Sequence, residues 1–191
     1  MSNNQYSIRP NELSNAICKR NWVVADRILQ TEKGRDFAKQ YAIYGSHGSN
    51  YGLHYCMSNL VWSSGYFITA GPASFLVNLV KAHPGALSQE FRYGAIHKYP
   101  LKVALSELNN DFPIEVVFAM IDQYPNPGKN ADDDSIIAHA LNMHVEDGII
   151  SRLLGKVFGK FDEKVIDLLL SMERSDSVTF SLLEGPCLKE S

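Results

Sequence analysis

Apolar residues along this 191-residue chain fall in short helical stripes, and three of the stripes echo one another. Gly52-Leu53-His54-Tyr55-Cys56 returns as Pro100-Leu101-Lys102-Val103-Ala104 and again as Ile136-Ile137-Ala138-His139-Ala140. A second apolar stretch follows each copy: Phe75 to Ala82, Val116 to Asp122, and Ile149 to Leu154. A helix carrying a small residue, followed by a helix rich in Val, Ile and Leu and recurring at tens of residues, predicts stacked helix pairs.

The same pattern extends toward the N-terminus. Residues 1–9 read as a flexible lead, and Pro10-Asn11-Glu12 opens a helix with Leu13, Ala16 and Ile17 on one face. Asn21 is both a break and a cap, and Val24, Ala25, Ile28 and Leu29 form the stripe of the second helix. The linker is so short that the two helices must lie antiparallel. Gln30 to Tyr51 is a long connector ending in the turn-forming cluster Gly45-Ser46-His47-Gly48-Ser49-Asn50. Ser58 to Pro72, with Trp62, Tyr66 and Phe67, reads as an aromatic insert within the second pair. The second helices of pairs two and three stop at His83-Pro84 and Tyr124-Pro125, and Gly85 is placed to take a left-handed cap. Leu101, Ala104, Leu105 and Leu108 mark one helix of pair three; Ile114, Val117, Phe118, Met120 and Ile121 mark the other. Ser135 to about Gly155 forms a fourth pair, and Glu163 to Ser171 reads as one further helix. The repeat domain is expected over residues 10–175. Residues 176–191 form a tail whose apolar part, Val178 to Leu183, caps the last repeat.

Composition narrows the function. The balance of 18 basic against 21 acidic residues gives a net charge of −3, which argues against a nucleic-acid surface. Cys18, Cys56 and Cys187 are scattered and lack a C-x-x-C pair, so neither a zinc site nor a disulfide framework is expected. Met1 to Asn11 is polar and lacks the apolar segment of a secretory signal, and no window approaches the ~20 apolar residues of a membrane span. A cytoplasmic protein with no membrane span is the expectation.

Candidate chemistry is sparse. His139 and His144 are five residues apart and do not share a helix face, unlike the i, i+4 pair of a zinc helix. His54 and His139 are expected to bond loop backbone. Gly45-Ser46-His47-Gly48-Ser49 lacks the preceding apolar strand of a nucleophile elbow. Glu12, Asp26, Asp122, Glu146, Asp162, Glu163 and Asp167 are scattered acids that read as a solvated face. Neither a catalytic set, a metal site nor a cofactor is expected.

The motifs resemble a family. Tyr99-Pro100-Leu101-Lys102-Val103-Ala104 is similar to the T-P-L-H-x-A first helix of ankyrin repeats, with Lys102 in place of the histidine. Gly52-Leu53-His54-Tyr55-Cys56 keeps the histidine, and Glu115 to Ile121 is similar to the family's second helix. The chain thus resembles a divergent ankyrin-repeat protein over roughly residues 10–171. First helices recur at irregular spacing, from Leu13 to Leu53, Leu101 and Ile137, so a related helix-pair solenoid stays open. The resemblance implies an all-α solenoid of four to five stacked antiparallel pairs. It also implies a non-enzymatic module that binds a protein partner, its connectors lining one side. The candidate binding residues are Tyr44, His47, Tyr51, Arg92, Tyr93, His97 and Lys98 on connectors, with Trp62, Tyr66 and Phe67 in the insert. The alternative is a structural subunit permanently buried in a larger multiprotein assembly.

Overall fold

The computed structural model describes residues 9–44, 49–62, 70–93, 96–125 and 133–156. These residues are mostly helical. The first pair is α1 (Glu12–Cys18) and α2 (Trp22–Leu29), followed by α3 (Glu32–Ala38). A two-residue hairpin, β1 (Ala42–Ile43) with β2 (Ser49–Asn50), leads into α4 (Gly52–Trp62) and then α5 (Ala73–Ala82). A second hairpin, β3 (Phe91–Tyr93) with β4 (Ile96–Lys98), leads into α6 (Pro100–Ser106) and α7 (Ile114–Gln123). The last described pair is α8 (Asp133–Asn142) and α9 (Asp147–Lys156).

Local chemistry explains the boundaries. Asn11 and Ser14 cap α1 reciprocally: the Asn11 Oδ1 accepts from the Ser14 amide at 2.8 Å, and the Asn11 amide donates to the Ser14 Oγ at 2.9 Å. Arg20 then turns left-handed (φ 53°), so that its amide reaches the Ile17 carbonyl and the Asn21 amide reaches the Ala16 carbonyl. Asn21 starts α2 at once by accepting from the Val24 amide. The end of α8 repeats this closure. His144 is left-handed (φ 53°), its amide reaches the Leu141 carbonyl, and the Val145 amide reaches the Ala140 carbonyl. Between α6 and α7 the left-handed residue is Asp111 (φ 62°), set back by a 3-10 turn at Leu108–Asn110.

The core runs through the described part of the chain. First helices pack on first helices, α1 on α4, α4 on α6 and α6 on α8, while α2 packs on α5, α5 on α7 and α7 on α9. The small residues Ala16, Cys56, Ala104 and Ala140 are all buried, as close helix approach requires. Leu76, Leu79, Val80, Val116, Val117, Met120, Ile121, Ile149, Ile150, Leu153 and Leu154, all on second helices, are buried with them. Each such side chain contributes roughly 1.5–3 kcal/mol by burial.

Several expectations change. The connector from Gln30 to Tyr51 holds a helix, α3, and a hairpin. Thr31 caps α3 by accepting from the Gly34 amide at 3.0 Å. Gly34 lets the helix approach α2 so closely that a Cβ there would sit 1.8 Å from the Ile28 carbonyl oxygen. Residues 58–62, expected as the start of an insert, instead complete α4: Leu60 is buried and continues its apolar face, and the buried Ser58 hydroxyl donates to the Tyr55 carbonyl. Val24 is exposed, and α2 buries Ala25 and Leu29. Gly85 takes no left-handed cap; it lies in a 3-10 turn, Pro84–Ser88, that follows directly from α5. The expected helix over 163–171 and the tail lie outside the described residues.

Candidate functional site

The structure sorts the expected binding residues by what each can present. Tyr44 is a correction: it is wholly buried, its ring stacked on Tyr55 with centroids 4.7 Å apart, and so has no surface to offer. The Tyr44 Oη also lies 3.0 Å from where a Cβ on Gly52 would stand, so this contact fixes the entry to α4. Burial pushes the phenol and the neighbouring Cys56 thiol far up, and both stay neutral.

Tyr51 is half-buried and sits at the centre of an aromatic cluster. Its ring meets Tyr41 at 5.1 Å, His54 at 5.3 Å and His83 at 4.7 Å, all edge-on. His54 in turn faces Phe91 of β3 at 5.4 Å. The cluster joins the start of α4, the end of α5 and the second hairpin. His54 is nearly inaccessible, and its Nε2–H donates to the Ala86 carbonyl at 2.8 Å. Burial lowers its pKa to about 4, against the opposing effect of that hydrogen bond. His83 is lowered as well, chiefly by burial, and its Nδ1 is buried without a hydrogen-bond partner. Both imidazoles pack against rings, and His54 bonds backbone, as the sequence implied.

On the second hairpin, Arg92 pairs with His97 and Tyr93 with Ile96 across the strands, while Phe91 pairs with Lys98. Lys98 and Tyr99 are half-buried, and the Lys102 ammonium lies 5.2 Å from the Tyr99 ring centroid. The hairpin therefore places Arg92, Tyr93, His97 and Lys98 on one short ribbon immediately before α6. Trp62 is the last residue of α4. His47, Tyr66 and Phe67 lie outside the described residues.

Further along, His139 of α8 is tied to α6. Its Nε2 lies 2.8 Å from the Ser106 Oγ and 3.1 Å from the Lys102 carbonyl, to which Ser106 also donates. Burial lowers this imidazole too. Two of the scattered acids likewise link neighbouring pairs. Asp122 of α7 accepts a forked pair of bonds from Arg152 of α9, and Asp26 of α2 accepts from Asn78 of α5 at 2.8 Å.

A feature that sequence reasoning missed lies between the turns of the third and fourth pairs. A cleft of about 380 Å³ is lined by Leu108, Asn109, Asp111, Phe112, Ile114, His144, Val145, Glu146 and Ile149. The turn residues were legible individually, but their meeting depends on how α7 packs against α9. Among the described residues, no group of three His, Cys, Asp or Glu side chains is placed to hold a metal ion, and no helix is long and apolar enough to cross a membrane. No protein-family model, curated protein or solved structure matches the chain.

Proposed function

We propose that the chain is a short solenoid of ankyrin-like helix pairs acting as a non-enzymatic binding module for a protein partner. The observation that carries the reading is the order of packing, in which first helices meet first helices and second helices meet second helices from pair to pair. Hairpins directly before α4 and α6 add to it, since they give the connectors a fixed framework. Stacks of this kind bind through extended surfaces rather than enclosed sites. The ribbon bearing Arg92, Tyr93, His97 and Lys98, together with Tyr51 at the start of α4, forms the recognition strip, and Trp62, Tyr66 and Phe67 are carried over from the sequence as further contact residues.

The test is affinity capture with the full chain, repeated with Arg92→Glu plus Lys98→Glu and with Trp62→Ala. Each variant is first checked for an unchanged thermal melt. A stoichiometric protein that is captured by the parent chain and lost on these changes supports the strip. A partner retained by every variant removes the strip from the interface. A folded monomer that captures nothing removes the binding reading itself.

A further inference from the structure

The cleft between the third and fourth pairs has a composition that selects a ligand. Phe112, Val145 and Ile149 form a buried apolar floor, and Ile114 is 36% exposed at the edge. Asn109, Asp111, His144 and Glu146 stand around it, all exposed. No lysine or arginine lines it. Asp111 and His144 both hold left-handed backbone, which brings the two turns to the cleft.

Charge decides between an anionic and a cationic occupant. The N-termini of α7 and α9 open here, and each brings roughly half a positive charge. Two carboxylates line the cleft at those ends, Asp111 by α7 and Glu146 by α9, and outweigh the two half charges. The local field is therefore negative. The volume falls within the range that accepts a substantial apolar group. Its rim is exposed, which fits a side chain presented by a larger molecule.

We infer that this cleft is a second docking site, for a basic segment of a protein partner. The segment lodges one apolar side chain on Phe112, Val145 and Ile149 and sets lysine or arginine against Asp111 and Glu146. The site rests on the reading of the chain as a binding module, but lies on the turns between helices rather than on the hairpin ribbon.

The test follows amide shifts of the full chain during titration with a capped hexapeptide alternating arginine and leucine. A glutamate–leucine peptide is the control. The expected result is saturable shifts centred on residues 108–114 and 144–149, with the basic peptide alone. The double variant Asp111→Asn, Glu146→Gln should weaken binding about fivefold, the loss expected for two exposed ion pairs. Ile114→Lys, a change at the exposed edge, should abolish binding without altering the melt. Equal response to both peptides, shifts centred elsewhere, or binding unaffected by these variants overturns the site. Arg92→Glu plus Lys98→Glu should leave peptide binding intact. Peptide binding lost only in that hairpin variant would also overturn the cleft, while leaving the recognition strip standing.

Discussion

His54 and Ala86 are fastened together by a 2.8 Å hydrogen bond from the His54 Nε2–H to the Ala86 carbonyl, inside the core between α4 and the turn after α5. The imidazole is neutral in the fold and has a pKa of about 4, against 6.5 when unfolded. The unfolded chain therefore binds more protons between those values. Stability is fully present above pH 6.5, falls as pH drops toward 4, and is flat below. His54 alone accounts for about 3 kcal/mol across that window. His83 and His139 are lowered in the same direction and add to the slope. Urea titrations at pH 7.5, 5.5 and 4.5 measure the effect. His54→Leu should cost about 1–3 kcal/mol at pH 7 by orphaning the Ala86 carbonyl, and should flatten the pH slope.

Gly34→Ala should be severely destabilising, by on the order of 3 kcal/mol. The new methyl would meet the Ile28 carbonyl at 1.8 Å, and backbone cannot move aside as a flexible side chain can. Gly148→Ala is the contrasting case: no heavy atom lies within 4 Å of the added Cβ and the position is helical, so a gain of about 0.5–1 kcal/mol is expected. Thermal melts of the two variants should move in opposite directions.

Arg20→Gly and His144→Gly should each stabilise the fold by about 0.5–1 kcal/mol. Both positions are left-handed, where a side chain is strained and glycine is not. The two should add, because the turns close different pairs. A fall in melting temperature for either would mean that its side chain makes a contact worth more than the strain.

Breaking the Asp122–Arg152 fork should cost about 0.5–1 kcal/mol, since both side chains are more than two-fifths exposed. The Arg152 hydrogen bonds hold the Asp122 carboxyl below its usual range. The coupling measured by Asp122→Asn, Arg152→Met and the double variant should shrink in high salt and vanish below the carboxylate's titration. Arg152 also lies 4.7 Å over the Phe118 ring, so Arg152→Met should cost more than Asp122→Asn.

The helix pairs were legible because small residues and Leu/Ile/Val pairs repeat at helical spacing. Ala16, Cys56, Ala104 and Ala140, the small residues of that pattern, are all buried, and Asn21 both ends the first turn and caps α2. The seven-residue α3, by contrast, carries only Phe37 as a large apolar side chain, so no stripe announces it. The hairpins have strands of two and three residues, too short for an alternating signal. Tyr44 reads as exposed in the sequence because it stands beside a glycine-serine turn, and the ring of Tyr55 that stacks upon it comes from eleven residues further on. The cleft was invisible for a different reason. Asp111 and Glu146 lie on turns of successive pairs, and no local pattern reports that those turns meet.

Trp22 lies against Phe75, ring centroids 5.4 Å apart, across the seam where α2 meets α5. The molecule thus carries its own optical gauge at one end. With Trp62 replaced by Phe, the remaining indole emission would report whether the first pair parts from its neighbour before the rest of the chain melts. Comparing that signal with the loss of far-ultraviolet ellipticity would distinguish a chain that frays from its beginning from one that lets go all at once.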